Sequence, residues 1–239
     1  MSILEQIIQS PRLPQYLVQL QDLLDGEHQR REEFIEHVTE NQKAEFINGD
    51  TVVHSPVKLR HAEASLNLAT MLRVYCSQRK LGLVAHEKLL ISLTRNDYEP
   101  DICFFRAERA AGFAPDQMRF PAPDFVVEVL SPSTEANDRG VKLEDYAAHG
   151  VAEYWLIDPV DETLEQYLLA QPSEFGMQDS DVSATPAGLI DDQGAQYLLN
   201  IKARNGVVTS LAVPGFEIPV RAIFDAEQQG MALRALLDR

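Results

Sequence analysis

Charged residues that border or interrupt apolar runs are the part of this 239-residue chain best suited to chemistry, and they are Glu45, Asp101, Glu128 and Lys142. Asp101 directly precedes the apolar run 102–105, and Glu128 lies within the Val-rich run 125–130. An unpaired carboxylate buried in such a run costs several kcal/mol, or its pKa rises until it is neutral. Glu128 therefore either faces solvent from a sheet edge or faces a cation.

Asp101 and Glu128 are expected to converge. Alternate residues of a strand point to one face, so Val126 and Leu130 share a face with Glu128. If strand 99–105 lies beside this strand, the two carboxylates meet. Two carboxylates without a basic partner repel each other, and a divalent cation removes that conflict. Oxygen ligands are those that Mg²⁺ prefers, and a bound metal activates water and stabilises charge on a phosphoryl oxygen.

Lys142 lies between the Val-rich run and a second apolar run at 154–158. A helix-capable segment between two buried strands is typical of a βαβ crossover with parallel strands. Gly150 suits the left-handed position that ends such a helix. Asp138, Lys142 and Tyr146 follow at four-residue spacing and share one helix face. This face carries either a surface ion pair or a lysine that serves the site.

Helices and strands alternate along the rest of the chain. Asn48-Gly49 predicts a hairpin over 45–55, because both central positions of a type I′ turn need positive φ. A helix is predicted over 60–80, with one apolar stripe formed by Ala62, Leu66, Ala69, Leu72 and Cys76. Toward the C-terminus we expect a loop over 171–194, a hairpin around Asn205-Gly206 and an extended segment over 216–224. The pattern predicts an α/β fold with a central mixed sheet flanked by helices.

Residues 1–43 are predicted to be an appended helical segment, and residues 44–239 one domain. Three leucines between positions 17 and 24 recur at helical spacing. The polar run 27–36 that follows is either a solvated helix face or a helix that binds a partner or a second copy.

Composition limits the classes of function. The net charge of −16 argues against a broad basic face that coats nucleic acid, but it is compatible with an enzyme that has a local basic groove. Cys76 and Cys103 lie in apolar surroundings, so we expect reduced core residues. The chain has no apolar run of about 18 residues and no signal-like start, so we expect a cytoplasmic protein that does not span a membrane.

The motifs occur in a specific order. A PD pair at 100–101 is followed by PDFVVEVLSPST, by D-x-x-x-K-L-x-x-Y and by GVAEYWLIDP. This order resembles the Uma-type putative restriction endonuclease family, a domain of unknown function within the PD-(D/E)XK nuclease superfamily. The resemblance covers residues 44–169, and PGFEIPVRAIF at 214–224 resembles the family's closing segment. It implies a restriction-endonuclease-like fold and a Mg²⁺- or Mn²⁺-dependent endonuclease acting on DNA, which we expect to be a homodimer.

The resemblance also implies a set of metal-binding positions, which are Asp101, Glu128, Glu45 and the backbone carbonyl of Val129. The superfamily's lysine normally stands two residues after the second acid, where this chain has Leu130. Lys142 resembles a displaced lysine that would orient or deprotonate the attacking water. On that hypothesis Lys142→Ala abolishes cleavage and leaves folding and metal binding intact.

Two other functions stay open. The displaced lysine and the negative net charge fit a catalytically inactive nuclease-fold protein that binds nucleic acid or a protein partner. The retention of three acids argues against it, because an inactive site has no physical need to keep like charges together. The third alternative is an acid-rich protein that binds a metal or a small molecule. His61, at a helix start, either lines the site or serves as a cap or solvent-exposed residue.

Overall fold

The computed structural model describes residues 3–39, 42–170 and 195–238, so the loop predicted over 171–194 lies outside the described residues. The helices are α1 (Ile3–Ile8), α2 (Leu13–His37), α3 (Leu59–Arg79), α4 (Ala107–Ala110), α5 (Glu135–Arg139), α6 (Val141–Ala148), α7 (Ala226–Asp238) and a 3₁₀ helix (Val220–Ile223). The strands are β1 (Ala44–Ile47), β2 (Asp50–Val53), β3 (Gly82–His86), β4 (Leu90–Ser92), β5 (Asp97–Tyr98), β6 (Ile102–Arg106), β7 (Arg119–Phe120), β8 (Phe125–Val129), β9 (Glu153–Asp158), β10 (Thr163–Leu169), β11 (Tyr197–Ala203), β12 (Val207–Thr209) and β13 (Glu217–Pro219). None of the described helices is both long enough and apolar enough to cross a membrane.

Six strands form the central mixed sheet, in the order β11-β10-β9-β8-β6-β3. β8 and β9 run parallel, and their other neighbours run antiparallel. The segment between β8 and β9 is helical, which confirms the predicted crossover, but Gly140 divides the predicted single helix into α5 and α6. A Cβ at Gly140 would lie 2.8 Å from the Ala136 carbonyl oxygen. Gly150 ends the crossover with a φ of 74°, as predicted.

β8 is buried on both faces of the sheet. Its odd-numbered residues pack into the core beneath α3 and α7, and Val126 and Leu130 pack into the core that includes Tyr146 of α6. Glu128 shares the second face with Val126 and is only 3% exposed. The alternative in which Glu128 faces solvent from a sheet edge is therefore wrong.

The predicted hairpin belongs to a second sheet, in the order β2-β1-β5-β4-β7. Asn48 and Gly49 have φ values of 50° and 91°, which are the positive values that a type I′ turn requires. The antiparallel pairing of β1 with β2 confirms the hairpin. β1 also pairs with β5 through Phe46 and Asp97, and this pairing holds Glu45 next to the central sheet.

The two halves of α2 have different surroundings. Leu17 in the N-terminal half is 64% exposed, whereas Phe34 in the C-terminal half is buried. The Arg31 guanidinium lies 2.6 Å from the buried Asp97 carboxylate. The polar run 27–36 is therefore anchored to the second sheet and is more than a solvated face, because a buried carboxylate requires a counter-ion.

The C-terminal third departs from the prediction. β11 pairs with β10, and β12 pairs with β13, so the predicted hairpin around Asn205-Gly206 is wrong. The segment 216–224 is extended only in β13 and then forms the 3₁₀ helix. Alternating polar and apolar residues predict strands but do not specify which strands pair.

Candidate active site

Asp101 and Glu128 reach one cavity from neighbouring strands. Asp101 stands directly before β6, and the register of β6 with β8 brings it beside Glu128. Glu128 Oε2 accepts the Asp101 backbone N–H at 3.3 Å, and Asp101 Oδ2 accepts the Val129 backbone N–H at 2.8 Å. These bonds fix both side chains, because each carboxylate is held by the backbone of the other acid's strand. The structure thus brings the two predicted acids together.

Lys142 lies inside the protein, with a side chain that is only 2% exposed. Its Nζ is 2.9 Å from Glu45 Oε1, 3.0 Å from Glu128 Oε1 and 3.1 Å from Asp138 Oδ1. The helix face that carries Asp138, Lys142 and Tyr146 is buried throughout. The alternative of a surface ion pair is therefore wrong, and the cation that faces Glu128 is Lys142.

The hairpin and the residue before it supply the second group of charges. Glu45 Oε1 accepts the Glu99 backbone N–H at 2.9 Å, and its Oε2 lies 3.0 Å from His54 Nε2. Glu45 is 1% exposed and is absent from the cavity wall, which His54 and Lys43 do reach. Lys43 places its Nζ 2.7 Å from Asp101 Oδ1. The hairpin thus places the Glu45 carboxylate behind Lys142, and the residue before the hairpin places the Lys43 ammonium in the cavity.

His61 lies in the first turn of α3 and faces the cavity. Its Nε2 is 3.5 Å from Asp101 Oδ2, and the residue is 6% exposed. Its buried Nδ1 has no hydrogen-bond partner among the described residues. These contacts favour the site-lining alternative for His61 over a solvent-exposed one.

The two acids from the central sheet differ in electrostatics. Burial and neighbouring carboxylates raise the pKa of Glu128 well above its usual range, against the opposing effect of Lys142. Burial favours the neutral form of Asp101 as well, but His61 and Lys43 outweigh it and hold its pKa below the usual range. Lys142 therefore compensates only part of the negative charge that Glu128 and the neighbouring carboxylates carry.

Oppositely charged neighbours determine the direction of the pKa shifts of Glu45, Lys142 and Lys43. Burial disfavours the charged form of Glu45, but Lys142 and His54 lower its pKa to about 2. Burial likewise disfavours the ammonium of Lys142, and the surrounding carboxylates still raise its pKa well above the usual range. Asp101 raises the pKa of Lys43 against burial in the same way. Both lysines are therefore positively charged at neutral pH.

The cavity between these groups has a volume of about 380 Å³. Its charged lining residues include Lys43, Asp101, Glu128, Asp138 and Lys142. A second depression of about 310 Å³ adjoins the cavity along Ser55 to His61, and Lys58 and Arg60 border it. The cavity is therefore open to an extended ligand that runs past the first turn of α3.

The donor set fits a divalent cation in charge and chemistry. Glu45, Asp101, Glu128 and Asp138 contribute four carboxylates against two lysines, so two negative charges are in excess when all four acids are ionised and the histidines are neutral. Burial opposes that state, because it raises the pKa of Glu128 and of Asp138, and a bound cation would favour it. In the described residues, no group of three His, Cys, Asp or Glu side chains is arranged to hold a metal alone. Mg²⁺ is commonly bound through one or two carboxylates, with waters and substrate phosphates as its other ligands. Asp101 and Glu128 match that requirement.

Sequence reasoning missed three contributors, which are Lys43, His54 and Asp138 as an acid of the site. The signal for Lys43 was present, because it stands two residues before Glu45 and alternate residues of a strand share a face. His54 stands across the hairpin from Lys43, and its backbone N–H donates to the Lys43 carbonyl. This bond extends the hairpin by one residue pair. The sequence does not show that extension, so Lys43 could not be assigned to the strand, or to the site, from the sequence alone.

Comparison with known proteins identifies the family and a similar fold. No curated protein matches the chain. The fold is similar to that of a solved structure described as a "putative nuclease belonging to DUF820" from Anabaena variabilis ATCC 29413, with a TM-score of 0.60 and 16% identity. The similarity covers 81% of this chain and 96% of that one, and at this identity it shows the fold alone. The sequence matches the Uma2 family, described as "Putative restriction endonuclease", over residues 31–220, and the chain therefore belongs to that family.

Proposed function

We propose that the protein is a metal-dependent nuclease that hydrolyses phosphodiester bonds in DNA. Membership of the Uma2 family supports a nuclease-like function. The observation that carries the finer proposal is the pairing of Asp101 and Glu128 at one cavity whose carboxylates outnumber its ammonium groups. A buried excess of negative charge is costly unless a cation compensates it or one of the acids binds a proton.

Asp101 and Glu128 are the side chains that would hold Mg²⁺ or Mn²⁺, with the Val129 carbonyl as the third position implied by the family resemblance. When bound, such a cation supplies water of lowered pKa and positive charge for a phosphoryl oxygen. Glu45 is assigned to Lys142 instead of to the metal, because it points to that ammonium and does not line the cavity.

The charged residues of the chain have separate tasks in this proposal. Lys142 offsets part of the charge of Glu128 and fixes its orientation through a 3.0 Å contact. The backbone N–H of Val129 and the ammonium of Lys43 orient Asp101 in the same way. His61 borders the same carboxylate and offers an imidazole whose Nδ1 has no partner in the described part of the chain.

DNA fits the cavity and its surroundings better than the net charge of −16 suggests. Lys43 lines the cavity, and the exposed side chains of Lys58 and Arg60 line the adjoining depression. These three cations form a short basic strip, and contacts between such cations and phosphates provide most of the sequence-independent affinity for DNA.

The second candidate is a nuclease-fold protein that binds nucleic acid or a protein partner without cutting. The three carboxylates around Lys142 favour it, since they occupy that ammonium and leave its side chain only 2% exposed. The excess of carboxylates over ammonium groups at a solvent-accessible cavity favours the nuclease.

Cleavage of supercoiled and linear duplex DNA, with Mg²⁺ or Mn²⁺ and with EDTA, tests the proposal. Glu128→Gln and Asp101→Asn should each weaken Mn²⁺ binding measured by calorimetry and remove cleavage, because each replaces a ligand carboxylate by an amide. Glu108→Gln is the matched control, since Glu108 is an exposed acid on α4. Metal-independent DNA binding by wild-type protein, without cleavage of any substrate, would favour the second candidate instead.

A further inference from the structure

Lys142 lines the cavity, but the described acids already occupy its hydrogen-bond donors. An ammonium carries three N–H donors, and three carboxylate oxygens surround its Nζ within 3.1 Å. Its side chain is 2% exposed, so neither a phosphate nor a water has room to replace one of these oxygens without separating a buried ion pair. Its place in the structure is that of a positioning residue behind Glu128.

Lys43 has the accessibility that Lys142 lacks. Its side chain is 20% exposed, it lines the cavity, and Asp101 is its one ion-pair partner among the described residues. A single carboxylate leaves donor capacity on the ammonium for a second anion. The contact of 2.7 Å with Asp101 Oδ1 also holds the ammonium beside the acid that would bind the metal.

A phosphate that enters the cavity requires this second cation. The carboxylates of Asp101, Glu128 and Asp138 line the cavity and would repel an anionic substrate. In the proposed function, one divalent cation neutralises only part of their total negative charge. Lys43 is the lysine at the solvent side of this group, and its backbone carbonyl, bonded to the His54 N–H at 3.0 Å, continues the rigid hairpin. The ammonium is therefore held on an ordered element in the path of the ligand.

We propose that Lys43, and not Lys142, is the lysine that contacts the scissile phosphate of the substrate. This inference rests on the proposed nuclease function and adds to it the residue that binds the reacting group. It assigns to the hairpin a catalytic role that neither the PD pair nor the Lys142 motif indicates.

The test compares Lys43→Ala and Lys43→Arg with Lys80→Ala, a control at the other end of α3. Because a helix rises about 1.5 Å per residue, Lys80 lies about 28 Å along the helix axis from His61. Loss of one preorganised donor lowers kcat by about 10²–10³, and we expect that loss in Lys43→Ala, with recovery of most activity in Lys43→Arg. Lys80→Ala should cleave at the wild-type rate.

Binding provides a readout that does not depend on cleavage. With Ca²⁺ in place of Mg²⁺, the dependence of log K on log salt for a short duplex should fall by about one unit in Lys43→Ala, which corresponds to one lost phosphate contact. Mn²⁺ titration without DNA should be no weaker than in the wild type, because Lys43 is not a ligand. If Lys43→Ala fails to fold, Lys43→Gln provides the same comparison with a longer side chain.

The possible outcomes distinguish a failure of the proposed nuclease function from a failure of the role of Lys43. Wild-type protein that neither binds nor cuts DNA refutes the proposed function, and the role of Lys43 with it. Wild-type protein that cuts, together with a Lys43→Ala variant that cuts and binds with wild-type rate and salt slope, refutes the role of Lys43 alone.

Discussion

Replacement of Lys142 by Met tests whether the buried ammonium is a structural requirement of the fold. The substitution retains much of the side-chain length but removes the positive charge that lies within 3.1 Å of Glu45, Glu128 and Asp138. Breaking a buried ion pair by removing one partner costs about 3–5 kcal/mol, because it leaves buried charge without compensation. Three acids depend on this one lysine, so we expect a loss in that range or protonation of at least one acid.

Thermal unfolding followed by circular dichroism measures the loss. For a chain of this size each kcal/mol corresponds to a change in Tm of about 2–4 °C, so Lys142→Met should unfold about 6–20 °C below the wild type. Added Mg²⁺ should raise the Tm of Lys142→Met more than that of the wild type, because a bound cation compensates the acids that have lost the lysine. Lys202→Met is the matched control, since Lys202 is 58% exposed and its single ion pair is worth less than about 1 kcal/mol.

The sequence alone led to a different expectation, in which Lys142→Ala leaves folding intact and removes only cleavage. A Lys142→Met variant with wild-type Tm and no cleavage would support that expectation and would show that the buried contacts do not stabilise the fold. A variant with lowered Tm whose residual activity rises with Mg²⁺ would support the positioning role.

Three further expectations concern the rest of the fold. Glu165→Gln should lose about 1–2 kcal/mol of unfolding free energy at pH 7 in urea unfolding, because Arg139 outweighs the effect of burial and lowers the pKa of Glu165 to about 2. This stabilisation is present above the unfolded-state pKa of about 4.3 and disappears as the pH falls from there toward 2. The difference in stability between Glu165→Gln and the wild type should therefore be smaller at pH 4. Gly82→Ala should destabilise by about 3 kcal/mol, since its Cβ would lie 1.9 Å from a carbonyl oxygen of the paired strand, whereas Gly230→Ala in open space should stabilise by about 0.5–1 kcal/mol in the same assay. Light scattering at tens of micromolar should show a homodimer that Leu20→Glu dissociates, because Leu20 is 49% exposed on the apolar face of α2; a wild-type monomer would contradict this.

Local chemistry made the hairpin and the crossover predictable from the sequence. Asn48-Gly49 permits only a few backbone conformations, and Gly150 after an amphipathic segment fixes a helix end. These signals act over four or five residues, and the structure has the turn and the cap at those positions. The convergence of Asp101 and Glu128 was predictable for a related reason, since each acid stands at a defined position in an apolar strand.

The partners of those elements were not predictable, because pairing depends on contacts between distant residues. Nothing in the sequence of β11 indicates that it pairs with β10 instead of β12. The same limit applies to Lys43, whose distance from Asp101 depends on how the second sheet packs against the first. The periodicity of apolar residues also predicted the buried face of α3 only in part. Leu66, which belongs to the expected apolar stripe, is 57% exposed, whereas His61 is buried.

The missing lysine two residues after Glu128 has a physical explanation in the same packing. Leu130 stands at that position, is 5% exposed, and belongs to the core that contains Tyr146. An ammonium there would replace an apolar contact by a buried charge. Gly140 breaks the crossover, and α6 then carries Lys142 to within 3.0 Å of Glu128 Oε1. The acid thus receives a cation from the helix that follows its strand, and Gly140→Ala should disturb this contact, because its Cβ would approach the Ala136 carbonyl oxygen to 2.8 Å.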